Sequence, residues 1–119
     1  MKLLIALSSL FLLIACSPSD EEATRLVIAA EGGKQVAIAD SDGKILWKHP
    51  IKQVHDVHLL DNGNILVNNG WTKVMELNLA GETVWEYDSS KTEGFNGQKI
   101  EIHAFQRLAN GNTMIAESG

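Results

Sequence analysis

The chain repeats itself. Moved 38 positions along, residues 27–48 fall on residues 65–86 without a gap, so that Gly32 meets Gly70, Val36 meets Val74, Gly43 meets Gly81 and Trp47 meets Trp85. Moved 48 positions along, residues 54–68 fall on 102–116: His55 meets His103, Leu60 meets Leu108, and Asn62-Gly63-Asn64 meets Asn110-Gly111-Asn112. The two offsets, 48 and 38, differ by ten and so locate an insertion between Trp85 and His103, where Lys91 to Lys99 is polar and glycine-containing, as an inserted loop is. A unit of about 40 residues cannot bury an apolar face alone. Repeats of that size are stable because each covers its neighbour.

Within the units the apolar residues alternate with period two, in short runs bounded by turn residues. The runs are Leu26 to Ala30, Gln35 to Asp40, Lys44 to Lys48, Asp56 to Leu60, Asn64 to Asn68, Lys73 to Leu79, Glu82 to Tyr87, Ile100 to Leu108 and Asn112 to Glu117. No segment among them has helical periodicity, and the fold class is all-β. Asn62-Gly63 and Asn110-Gly111 predict two-residue hairpin turns with both central residues at positive φ, and Asp42-Gly43 and Ala80-Gly81 mark the next connection. Four short antiparallel strands per unit of this length is the pattern of a β-propeller blade. Counted outward from the axis, residues 55–87 make one full blade with 55–60 innermost. Residues 26–48 supply three outer strands of the blade before it, and residues 100–119 two inner strands of the blade after it. That is about two and a quarter blades, against roughly four needed to close a ring. The sequence is therefore expected to be the N-terminal part of a longer protein. Closure by several copies is the alternative, and a fractional blade count makes it awkward.

Ahead of the repeat, Leu3 to Ala15 is an apolar run behind the single charge of Lys2. As a helix it would reach about 20 Å, short of the ~30 Å hydrocarbon core, which makes it the core of a signal peptide rather than a membrane span. Leu13-Ile14-Ala15-Cys16 resembles the lipobox of bacterial lipoproteins. The resemblance implies cleavage before Cys16, a diacylglyceryl thioether on its sulfur and acylation of the new amino terminus. At ~0.8 kcal/mol per buried CH₂, two or three chains hold a protein permanently at a bilayer. Residues 1–15 are thus expected to be the signal peptide, in helical form, and 16–25, with Pro18 and three consecutive acidic residues, a lipidated tether. The location that follows is a bacterial cell envelope, the folded part in the periplasm or at the cell surface. Ser17 is not the aspartate that retains lipoproteins in the inner membrane of enteric bacteria, which favours the outer membrane.

Charge and cysteine content exclude other classes. Fifteen acidic against ten basic residues give a net charge of −5, without the clustered Lys and Arg that phosphate backbones require, so no nucleic-acid partner is expected. The one cysteine excludes an intramolecular disulfide framework and a cysteine-cluster metal site.

Ile38-Ala39-Asp40-Ser41-Asp42-Gly43-Lys44-Ile45-Leu46-Trp47, repeated with Asn78 for Asp40 in Met75 to Trp85, resembles the repeat of the PQQ-binding-like (quinoprotein) propellers. His55 to Leu66 and His103 to Met114 are similar to the inner-strand pattern of arylsulfotransferase-like propellers. In the arylsulfotransferases a pore-facing histidine accepts the sulfuryl group, which makes His55 and His103 the candidate catalytic residues. Recurrence at one repeat position is also what interblade packing alone would produce. Quinone-dependent members carry an adjacent cysteine pair, which a single cysteine does not supply. His55 and His58 form an H-x-x-H, but residues three apart on a strand face opposite ways, so no metal site is expected there. Trp47 and Trp85 are expected to dock neighbouring blades. Trp71, in a loop beside Gly70, is the candidate ligand contact. A binding or scaffold module is the first functional expectation, an arylsulfotransferase-like enzyme the second and a quinone-dependent oxidoreductase the third.

Overall fold

A computed structural model describes residues 26–30, 32 and 34–119. The predicted signal peptide, Cys16 and the tether lie outside the described residues. Each of the nine runs is a strand: β1 (Leu26–Ala30), β2 (Gln35–Ala39), β3 (Ile45–Pro50), β4 (Val57–Leu59), β5 (Ile65–Asn68), β6 (Lys73–Leu77), β7 (Thr83–Asp88), β8 (Glu101–Arg107) and β9 (Thr113–Ser118). They form three antiparallel sheets in chain order, β1-β2-β3, β4-β5-β6-β7 and β8-β9. Among the described residues, the departure from strand and loop is a single 3₁₀ turn, Ser89–Lys91, at the start of the insertion. Its entry is capped by the Asp88 carboxylate, which accepts from the Ser90 N–H at 3.1 Å. No helix of the described residues is long and apolar enough to cross a membrane.

The sheets stack face to face, and the alternation of side chains shows why. On β5 and β6, Ile65, Val67, Met75 and Leu77 point one way and pack with Val36 and Ile38 of β2 and with Ile51 and Val54 of the β3–β4 connection. Leu66 and Val74 point the other way, onto Ile102 and Phe105 of β8. The middle sheet is therefore covered on both faces, so β5 and most of β6 are buried at every position. Such strands cannot alternate apolar with polar, and Ile-Leu-Val and Val-Met-Glu-Leu do not. Each fully buried Ile, Leu or Val contributes about 1.5–3 kcal/mol. Stability is thus concentrated between sheets rather than within one.

The repeat extends to single hydrogen bonds. The Ile51 N–H donates to the Lys34 carbonyl at 2.9 Å, and 38 residues on the Ser89 N–H donates to Thr72 at 2.8 Å. β3 and β7 carry a bulge at the same repeat position, where Leu46 and Val84 are left out of the pairing. The four tight hairpins share one geometry, which corrects the two-residue turn expected from Asn-Gly. In each, a glycine N–H donates to the carbonyl three residues back, Gly43 to Asp40, Gly63 to Leu60, Gly81 to Asn78 and Gly111 to Leu108. The loop is three residues long with positive φ at the glycine alone, +82° at Gly63 and +86° at Gly111. Asn62 and Asn110 are instead held at negative φ, because each side-chain oxygen accepts from the backbone N–H two residues on, at 2.9 and 3.0 Å.

Candidate functional site

The sequence-predicted residues His55 and Trp71 are brought together. His55 ends the connection into β4, and Trp71 stands in the β5–β6 loop, with ring centroids 4.9 Å apart and planes tilted by 41°. Asn68, fully buried at the end of β5, ties the two segments. Its side-chain oxygen accepts from the His55 N–H at 2.7 Å and the Asp56 N–H at 3.2 Å; its amide donates to the carbonyls of Gln53 and Gly70 at 3.4 and 3.1 Å. The Lys52 N–H donates to the Asn69 side chain at 2.8 Å, and the Gly70 N–H to the Gln53 carbonyl at 2.9 Å. The result is a rigid platform at one end of the middle sheet.

His103 is held otherwise. It is the residue left out of the β8–β9 pairing, in a bulge between Ile102 and Ala104, and its Nε2 lies 2.8 Å from the Ser118 hydroxyl. The Ile102 N–H before it donates to the Trp71 carbonyl at 2.8 Å, so the bulge adjoins the platform through the backbone. His58 has other partners: its Nε2 lies 3.0 Å from the Asp56 carboxylate, and its ring meets the Phe105 ring edge-on at 5.5 Å. His55 and His58 therefore serve different neighbours. Among the described residues, no group of three or more His, Cys, Asp and Glu is placed to hold a metal ion. Trp47 stacks on His49 at 5.9 Å and packs against the core between the first two sheets.

A second polar centre lies at the other end of the inner hairpins, in an open cleft of about 560 Å³ between the β4–β5 and β8–β9 turns. Glu76 of β6 is buried there. It receives the Asn64 amide at 2.7 Å, the Asn62 amide at 3.2 Å and the Arg107 guanidinium of β8 at 2.8 Å. Arg107 also lies over the Trp85 ring, 4.9 Å from its centre, and donates to the Gly111 carbonyl at 3.3 Å. Burial pushes the Glu76 carboxyl up, but the Asn64 and Asn62 amides and the Arg107 charge outweigh it and hold it below the ordinary glutamate value. Asp88 behaves alike: burial raises it, and the Ser90 hydroxyl and N–H, the Thr72 hydroxyl and the Lys73 charge bring it below the ordinary aspartate value. Sequence reading missed Glu76, Arg107 and Asn68. The signal was available for the pair, because Ile38 and Leu59 stand at their repeat positions and a charge replacing an aliphatic residue breaks the pattern. The pair joins the middle sheet to the third, and Glu117 adds a second polar tie by accepting from the hydroxyls of Ser89 and Tyr87.

No protein-family model matches this chain. No curated protein matches it either. Among solved structures it is similar to a protein of unknown function from Bacteroides caccae, whose crystal structure was determined at 1.35 Å resolution. The two share 21% identity with a TM-score of 0.65 over 82% of this chain and 34% of that one. At this identity the likeness concerns the fold alone, and the chain spans about a third of its neighbour's length.

Proposed function

We propose that the three sheets are successive blades of a β-propeller, and that the protein is an exported lipoprotein, anchored through acylated Cys16, whose propeller works as a binding or scaffold module in the cell envelope. The observation that carries this is the stacking of equivalent sheets in chain order. Bonds within the first two sheets recur at the 38-residue spacing, and the central strands of the middle sheet, β5 and most of β6, are buried between apolar clusters on both sides. A sheet face without a neighbour keeps apolar side chains in water. Met114, 55% exposed on the third sheet, is such a side chain.

Binding is preferred over sulfuryl transfer because a histidine nucleophile needs a free ring nitrogen aimed at an open site beside groups that stabilise the transferred anion. Arg107, the one arginine among the described residues, is engaged by Glu76 and Gly111 and lies away from the His55 ring, and His103 has its Nε2 beside the Ser118 hydroxyl. The anchor is tested by labelling cells with radioactive palmitate: the protein takes up label, and Cys16→Ser loses both label and membrane fractionation. The activity is tested by incubating the protein with 4-nitrophenyl sulfate and a phenol acceptor. No nitrophenol should be released; turnover abolished by His103→Ala would overturn the binding function in favour of the enzyme.

A further inference from the structure

Trp71 departs from its repeat. Gly33 stands 38 positions before it and Gly119 stands 48 after it, so the repeat has glycine at the position where this unit carries an indole. Its side chain is nonetheless 40% exposed, on a loop fixed to the neighbouring segment by the Asn68, Asn69 and Gly70 hydrogen bonds. The part of the indole left in water, beside the His55 ring and on a turn fixed by these bonds, is an aromatic surface open to a ligand.

We infer that the Trp71–His55 pair is a stacking platform for the flat face of a neutral sugar ring within an oligosaccharide. This deepens the binding function proposed above and rests on it. The ring stands on a loop surface, which suits a long ligand lying across it; a small aromatic molecule needs most of its own surface enclosed to bind. Lys52 and Gln53 are tied to the platform through their backbones, Lys52 to the Asn69 side chain and Gln53 to the Gly70 N–H, and both carry side-chain groups able to pair with hydroxyls. Asp56 beside His55, in a chain of net charge −5, disfavours an anionic ligand. An offset aromatic contact of this kind supplies enough free energy to change affinity by about tenfold.

The test is calorimetric titration of the full chain, in an amine-oxide detergent free of sugar, with maltohexaose, cellohexaose and indole. One of the two hexasaccharides should bind saturably, about tenfold more weakly to Trp71→Ala and within about threefold of the parent to Trp71→Phe, which keeps a flat face. Trp71→Ala should still unfold in one cooperative thermal transition above the titration temperature, so that lost binding is not lost folding. Binding of a hexasaccharide undiminished in Trp71→Ala overturns the assignment. So does Trp71-dependent binding of indole with neither sugar bound, which leaves the binding function standing. Turnover of the aryl sulfate, the result that would defeat the binding function itself, is read separately from all of these.

Discussion

Asn68 and Glu76 are the two side chains on which most of the polar order depends. Asn68 fills all four of its hydrogen-bonding positions in a fully buried place, so Asn68→Ala strands the His55 and Asp56 N–H groups without partners. The expected cost is about 2–4 kcal/mol, read from urea unfolding, with the Trp71 loop loosened. A loss below about 0.5 kcal/mol would mean that water replaces the side chain. Glu76 and Asp88 predict the response to acid. Both carboxyls sit below their ordinary values of 4.5 and 3.8, so the stability they contribute is fully present above those values and is lost as the pH falls through the depressed ones. Urea unfolding from pH 7 downward should therefore show a flat region and then a steep acid decline, shallower in Glu76→Gln. An unchanged slope in that variant would contradict the role given to the Arg107 pair. His55 and Trp71 were legible as candidates because both are chemically rich residues at turn or repeat positions. Asn68 was not, since an asparagine ending a strand has the same appearance whether it faces water or closes a buried network.

At the scale of strands and turns, period-two alternation and the glycine spacings located every strand, with β3 running two residues beyond its expected end. The turn type was harder to read. Asn-Gly suits both a two-residue loop and a type I turn followed by a left-handed glycine, and the choice fell to the Asn62 and Asn110 side chains, which bond two residues ahead and hold their own φ negative. Gly63 and Gly111 have no atom within 4 Å of the position a Cβ would take, so substitution there costs conformational energy alone. Gly63→Ala and Gly111→Ala should each lower stability by about 1–2 kcal/mol, with Asn recovering much of the loss. Equal stability of the alanine and glycine forms would show that the hairpins reorganise.

In the whole molecule, the two apolar interfaces are separate clusters, and mutations in one should leave the other intact. Leu66→Ala removes a fully buried side chain from the cluster that joins the middle and third sheets, at an expected cost of about 2–5 kcal/mol, and should loosen β8 and β9 before β2. That the sheets stack was legible in the repeat, since a unit with two apolar faces must be covered twice. The charged tie between Glu76 and Arg107 was not, because it lies where the repeat is broken. Amide hydrogen exchange of the full chain measures the stacking directly. If the middle sheet is held between two neighbours, the amides of β5 and β6 exchange slowest of all, and those of β8 and β9 speed up in Leu66→Ala while β2 is unaffected. Exchange of β5 and β6 as fast as that of β9 would contradict the stacked arrangement.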